Sequence, residues 1–151
     1  MYLRDICGRE EGAPPPVDLV IEKRNGDVVR GMIHAGTATA VHDLSDGGLL
    51  VALAEMAIAG GIGASLDAAP QAIVPHAWWY GEDQARYVVT VPQAELLGVL
   101  TKLKAVEVPY VQIGTTGGDK LVIAGEGEVA VKTLNTAFES WLPAYMAGKA
   151  N

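Results

Sequence analysis

Behind Asp18, a residue type that caps helices, the apolar positions Ile21, Val28, Val29, Met32 and Ile33 fall on one helical face. They predict a helix to about Ala35, with Asn25-Gly26 as a break within it and Gly36 as its stop. Thr37 to Asp43 reads as a short β-rich strand, Leu44-Ser45-Asp46-Gly47-Gly48 as a turn, and Leu49 to about Ala59 as a second helix, which is the basic α/β unit. Leu49, Leu53, Met56 and Ala57 make one stripe of that helix. Leu50, Val51, Ala54 and Ile58 leave almost no polar face beside Glu55, so the helix is expected to be covered on more than one side. Gly60-Gly61 closes it, and Ile62 to Leu66 begins another extended stretch.

Asp67 to Gly81, with Pro70, Pro75 and the cluster Trp78-Trp79-Tyr80, reads as a long loop or an edge strand plus a loop. Arg86 to Val91 is a strand, Gln93 to Ala105 a helix amphipathic through Leu96, Leu97, Leu100 and Leu103, and Tyr110 to Gly114 a further strand. Lys120 to Ile123 and Glu128 to Val131 form a hairpin across Gly125-Glu126-Gly127. Thr133 to Tyr145 closes the chain as a helix expected to turn Phe138, Trp141 and Leu142 inward. At the other end Gly12 to Pro16 is extended, since each proline pushes its predecessor out of the helical region. The organisation is therefore a lead-in over 1–16 and one domain over 17–151. Its element order predicts an α/β or α+β sandwich, a mixed sheet with helices packed on it and split β-α-β character, rather than an all-parallel Rossmann sheet.

Composition narrows the function classes. A chain of 151 residues, 50% hydrophobic and 19% charged, fits one soluble globular domain. The lone Cys7 excludes an internal disulfide and favours a reducing cytoplasm. A formal charge of -7 without a Lys/Arg run argues against a nucleic-acid surface. No apolar run reaches the roughly 18 residues that span a bilayer, and the charged stretch Met1 to Glu11 is no signal core. The chain reads as soluble, unprocessed and off the membrane.

Two stretches can carry chemistry. In His42-Asp43-Leu44-Ser45-Asp46-Gly47-Gly48 a strand delivers His42 and Asp43 to its end, Ser45 or Asp46 can cap the next helix, and Gly47 and Gly48 allow a ligand or another backbone to approach closely. A helix N-terminus suits phosphate or carboxylate. Asp43 and Asp46 would repel an unaccompanied anion, so a metal ion or a partner's lysine must bridge them, or they receive backbone hydrogen bonds. The plainer alternative is a capped helix whose glycines serve packing. The second stretch, Glu82-Asp83-Gln84-Ala85-Arg86, places carboxylates, an amide and a guanidinium before a strand; if the strand starts early, Glu82, Gln84 and Arg86 share a face that can read a polar ligand. The alternative is a solvated turn with a Glu82–Arg86 surface pair.

Other features point to less. Gly114-Thr115-Thr116-Gly117-Gly118 reads as a turn more than an anion nest. His34 and His76 lack ligand-spaced partners for zinc, and Cys7 has no neighbouring base, so neither a metal nor a catalytic residue is assigned. Trp78 and Trp79 either cover an apolar edge or neighbouring domain or pack in the core.

At these motifs the sequence resembles a known family. His42-Asp43-Leu44-Ser45-Asp46-Gly47-Gly48 followed by Leu50, Ala52, Leu53, Ala54 and Glu55, the stretch Gly8 to Leu19, and Glu82-Asp83-Gln84-Ala85-Arg86 as a variant of a Glu-Ser-Gln-x-Arg pattern are similar to the C-terminal segment of the phosphoribosylformylglycinamidine synthases of the PurL type. The resemblance covers essentially the whole chain and implies a domain like the C-terminal one of aminoimidazole ribonucleotide synthetase (PurM), an α/β sandwich partly like a ferredoxin fold. It implies an ATP- and Mg2+-dependent carbon-nitrogen ligase of purine biosynthesis, which joins ammonia from glutamine to formylglycinamide ribonucleotide. The implied partners are the remaining synthetase domains, a glutamine amidotransferase subunit and a small PurS-type subunit.

The family's lysine, acidic metal ligands and main ATP segments are implied to lie outside this stretch, so the chain alone is expected not to catalyse the reaction. In the family the first half's Glu-Ser-Gln motif contacts substrate and the second half contributes to a related, partly structural nucleotide site. Carried over residue by residue, His42, Asp43, Ser45, Asp46, Gly47, Gly48, Glu82, Gln84 and Arg86 become a pocket wall or domain interface; Asp83 stands where the family has serine. A different class remains open, a nucleotide-binding or scaffold module without turnover. A sibling synthetase is disfavoured by Gly8 to Leu19.

Overall fold

Residues 2–10 and 14–149 are described by a computed structural model. Met1, Glu11, Gly12, Ala13, Ala150 and Asn151 lie outside the described residues, and with them part of the expected extended lead-in. Pro14 to Pro16 is exposed and without regular structure. The first element, α1 (Tyr2–Asp5), is a single helical turn for which the sequence carries no start signal. Its support is tertiary: the Tyr2 ring stacks on Tyr80 with centroids 4.3 Å apart.

Asp18 caps α2 (Leu19–His34) as its type dictates. Its Oδ1 accepts from the Val20 and Ile21 N–H groups at 2.9 and 3.0 Å, satisfying donors that the first turn leaves without partners. The helix ends where Gly36, at φ 67, takes the left-handed conformation; Gly36 N–H bonds to Ile33 O and Thr37 N–H to Met32 O, both at 3.0 Å. The break expected at Asn25-Gly26 is absent. Gly26 lies under the Tyr87 hydroxyl, where an added Cβ would stand 3.3 Å from it, and the Asn25 side chain bonds to a distant loop, so contacts made on this side keep the helix continuous.

The chain divides into two compact units. The first comprises the residues up to Leu53 and Ala69–Gln112. In it β1 (Ala40–Asp43) pairs antiparallel with β3 (Tyr87–Thr90), Asp43 standing opposite Tyr87. Helix α3 (Gly48–Gly60) begins here and places Leu49, Ala52 and Leu53 in the core beside Trp79, Val88 and Val99. Met56 is only half-buried and Val51 is exposed, so the cover around this helix is incomplete. The stretch expected as a loop contains α4 (Pro75–Tyr80): Pro75 sits at its start, where a missing N–H costs nothing, and no side chain caps it. In α5 (Leu96–Ala105) the face turned inward is Val99 with half-buried Leu96, Leu100 and Leu103, whereas Leu97 is 79% exposed.

The second unit holds a four-stranded mixed sheet in the order β4-β2-β5-β6. Here β2 (Ala64–Leu66) pairs antiparallel with β4 (Gly114–Thr116) and parallel with β5 (Lys120–Ile123), which forms the expected hairpin with β6 (Gly127–Ala130). Ala64 and Leu66 are buried and Ser65 between them is exposed, the alternation of a sheet with one covered face. The Gly114 to Thr116 stretch expected as a turn is thus a strand. Tyr110 and Val111, expected in it, have no strand to pair with and are 46% and 65% exposed. Mixed strands among helices are the expected α+β class, divided into two sheets rather than one.

The closing helix α6 (Val131–Met146) corrects a further expectation. Phe138, Trp141, Leu142 and Tyr145 share a face at helical spacing, but they are 61%, 58%, 57% and 60% exposed rather than inward. The helix buries only Val131, at its first residue.

Candidate functional site

The antiparallel ribbon brings the two sequence candidates together. Because Asp43 pairs with Tyr87, the turn after β1 runs beside the segment before β3, and the ladder continues one step as Leu44 N–H donates to Arg86 O at 2.9 Å. Across that seam Gly47 N–H donates to Glu82 Oε1 at 3.0 Å. Glu82, from another segment, thus binds the residue that precedes α3, beside Ser45 and Asp46, which the sequence offered as caps. Its carboxyl is held below the ordinary 4.5 first by this N–H and further by the charge of Arg4, against the opposing effect of burial.

The glycines of the turn serve close packing of backbone. Gly48, at φ 68, would place a Cβ 2.7 Å from Gly81 O and 2.7 Å from the Tyr80 carbonyl carbon. Gly47, at φ 83, would push one into Val51. At Gly48 the end of α4 makes the close backbone approach foreseen for these glycines.

The alternation of Glu82, Gln84 and Arg86 does not lie on a strand. The strand begins at Tyr87, and Gln84-Ala85 forms a turn with Ala85 at φ 61. Gln84 is exposed. Arg86 donates to Asp83 Oδ2 at 3.1 Å and to Gly81 O at 3.4 Å, and its Cζ lies 5.7 Å from the Trp78 ring centre. In place of the alternative Glu82–Arg86 surface pair, Arg86 is paired with Asp83.

His42 Nδ1 lies 2.6 Å from Asp43 O. A carbonyl only accepts, so Nδ1 carries the proton and Nε2 is left as the acceptor nitrogen in the neutral ring. With Asp43, Val41 and Tyr87, His42 lines an open groove of about 530 Å³ whose other wall is Gly26, Val29, Arg30 and Ile33 of α2. Asp43, Ser45 and Asp46 are exposed.

Sequence reasoning missed three contributors. Arg4 is bonded to Asp5 at 2.8 Å, which raises its pKa, with smaller contributions from the charges of Glu82 and Asp46. Tyr2 stacks on Tyr80 and, at 6.2 Å, on His76. Asn25 Nδ2 donates to Ala85 O at 3.0 Å. The Tyr2 and Asn25 contacts join residues distant in sequence, and the Arg4 bond is to its neighbour Asp5; the sequence carried no signal for any of the three.

These positions test the implied nucleotide and metal. Glu82 takes the Gly47 N–H and Ser45 O takes the Gly48 N–H at 3.0 Å, so neither donor is left for a phosphate. Among the described residues no group of three or more His, Cys, Asp or Glu side chains is arranged to hold a metal ion. Among the described residues no helix is long and apolar enough to cross a membrane.

Comparison with known proteins gives a consistent picture. The sequence model of the family described as AIR synthase related protein, C-terminal domain, matches residues 1–125. Phosphoribosylformylglycinamidine synthase subunit PurL of Nitrobacter hamburgensis is 78% identical over 149 residues, 99% of this chain and 20% of that relative. The subunit of the same name from Rhodopseudomonas palustris strain BisA53 is 77% identical over 149 residues, again 99% and 20%. The chain thus spans about 20% of the length of these relatives. Among solved structures, Thermotoga maritima PurL complexed with FGAR aligns at TM-score 0.71 and 19% identity over 87% of this chain and 24% of that one. The PurLQS structure from the same organism aligns at 0.69 and 18% over 89% and 24%. At these identities the structural likeness establishes the fold.

Proposed function

The chain belongs to the family of AIR synthase related proteins as their C-terminal domain, and on that premise we propose that it works as the C-terminal domain of a PurL-type phosphoribosylformylglycinamidine synthase. The observation that carries this reading is the 78% identity to a PurL subunit over 99% of the chain. The complete enzyme is an ATP-dependent carbon-nitrogen ligase of cytoplasmic purine synthesis. It converts formylglycinamide ribonucleotide and glutamine-derived ammonia to formylglycinamidine ribonucleotide, working with an amidotransferase subunit and a small PurS-type subunit. ATP and Mg2+ are held by segments outside this chain.

The domain's part is to supply a wall and an interface. Arg86, braced by Asp83 and Trp78, offers a guanidinium for an anionic or carbonyl group. His42, Asp43 and Gln84 offer polar edges around the ribbon, and Ser45 and Asp46 stand exposed at the turn. Glu82, Gly47 and Gly48 keep that wall in place through the hydrogen bond and the close packing described above. The uncovered face of α6 meets the other domains.

A chimera tests the proposal: this chain replaces the matching segment of Nitrobacter hamburgensis PurL, and ATP-dependent formation of formylglycinamidine ribonucleotide is measured. The chimera is expected to turn over at a rate near that of the parent, and the isolated chain not at all. A folded but inactive chimera, or turnover by the chain alone, overturns the reading.

A further inference from the structure

Ala85 is a residue with a Cβ in the left-handed region, at φ 61, a conformation that the chain adopts only when its surroundings impose it. It sits in the turn between the two anchored ends of the candidate wall. Upstream, Glu82 is tied to Gly47 N–H; downstream, Arg86 O accepts from Leu44 N–H. On the middle of this span acts a side chain from α2, the Asn25 amide, whose Nδ2 bonds to the carbonyl of Ala85 itself at 3.0 Å. The orientation of the amide is fixed by chemistry, because a carbonyl accepts and only Nδ2 donates. Next to Asn25, Gly26 packs under the Tyr87 hydroxyl. Helix and loop thus meet at two adjacent residues on either side of the wall.

We infer that Asn25 is a positioning residue: by holding the Gln84-Ala85 turn in its left-handed form it sets where Glu82 and Arg86 stand. The inference rests on the reading of Arg86 as part of a ligand-facing wall that Glu82 holds in place. It makes a specific claim of coupling. Glycine adopts positive φ without a steric cost, so a glycine at position 85 supplies from the backbone what Asn25 supplies through its hydrogen bond.

The experiment uses the full-length chimera carrying Asn25→Ala, Asn25→Ala with Ala85→Gly, and separately Arg86→Ala. KM and kcat are measured for formylglycinamide ribonucleotide, with the exchange rate of the Gly47 amide and the melting temperature of each variant. Asn25→Ala is expected to raise KM about three- to tenfold with kcat nearly unchanged, as befits the loss of one hydrogen bond that orients a binding group. The Gly47 amide should exchange faster, and Ala85→Gly should restore both. Unchanged KM in Asn25→Ala while Arg86→Ala raises it overturns the positioning role and leaves the wall standing. If Arg86→Ala has no effect either, the wall reading has failed; the Gly47 exchange then decides the positioning role alone, and unchanged exchange in Asn25→Ala overturns it. A lowered melting temperature with KM and exchange untouched also overturns it, since that is a merely structural contact.

Discussion

Glu82 reaches a turn 35 residues away in the chain: the N–H of Gly47, just before α3, donates to its Oε1 at 3.0 Å. The bond joins the segment before β3 to the residue that precedes α3, and it places a carboxylate near the helix start, where the dipole favours one. The same contact lowers the carboxyl's pKa below 4.5.

A carboxylate whose folded pKa is depressed stabilises the fold above its unfolded pKa, and that contribution is lost as the pH falls through the lower folded value. Glu82→Gln keeps an acceptor oxygen but removes the charge. The variant is expected to be less stable than the parent by about 1 kcal/mol or less at neutral pH, since the group is partly solvated. The gap should be constant above pH 4.5 and close as acid protonates the parent. Urea unfolding between pH 7 and pH 3 checks this; a gap that widens in acid contradicts the bond's contribution.

Gly48 predicts a larger loss. A methyl group there meets the backbone of Tyr80 and Gly81 at 2.7 Å, and backbone cannot rotate aside as Val51 can at Gly47. Added to the cost of left-handed φ for a residue with a Cβ, Gly48→Ala is expected to destabilise by about 2–4 kcal/mol. Gly48→Val should do so further. Equilibrium unfolding measures both, and an unchanged midpoint would show that the two segments part easily.

Local signals were legible in the sequence where the structure is made locally. Asp18 as a cap, Gly36 as a stop, the strand-turn-helix over Thr37 to Ala59 and the hairpin at Gly125-Glu126-Gly127 each depend on neighbours a few residues away. What the sequence hid is decided at a distance. Asn25-Gly26 reads as a break until Ala85 and Tyr87 lie against it. The His42 to Gly48 and Glu82 to Arg86 stretches look like separate candidates until the register Asp43 opposite Tyr87 makes them one site. Nothing local marks Arg4 or Tyr2 as neighbours of that site. In α6 the period reveals which residues share a face, but only the packing of β6 and Val131 decides which way the face looks.

The outward face of α6 gives a prediction of opposite sign to the one that periodicity suggests. Phe138 and Trp141 are 61% and 58% exposed, so replacing both by glutamate removes little buried area from this chain. The Phe138→Glu, Trp141→Glu variant is expected to melt within about 2 °C of the parent and to bind less of an apolar dye, because exposed surface substitutions usually cost under about 0.5 kcal/mol. In the full-length chimera, where the proposed function has other domains cover this face, the same pair should lower the melting temperature. Calorimetry on both proteins separates the cases: a large loss in the isolated chain would place the two rings in its core.

Arg86 separates stability from function. Its ion pair with Asp83 spans 3.1 Å, with side chains 27% and 56% exposed, and such a partly solvated pair contributes about 0–1 kcal/mol. The guanidinium also lies near the Trp78 ring, a contact worth about 0.5–1 kcal/mol at an exposed site. Neither interaction buries a charge that removal of the partner would strand, because Asp83 remains open to water. Arg86→Ala is therefore expected to shift the unfolding free energy of the chain by about 1 kcal/mol or less. Arg86→Lys should retain the charge but not the planar fork that matches a carboxylate or phosphate. If the guanidinium reads ligand, both variants raise KM in the full-length chimera, alanine more than lysine, while their melting temperatures stay near the parent's. Steady-state kinetics beside thermal melts check the pair; parental KM in Arg86→Ala would return Arg86 to a role confined to Asp83, Gly81 and Trp78.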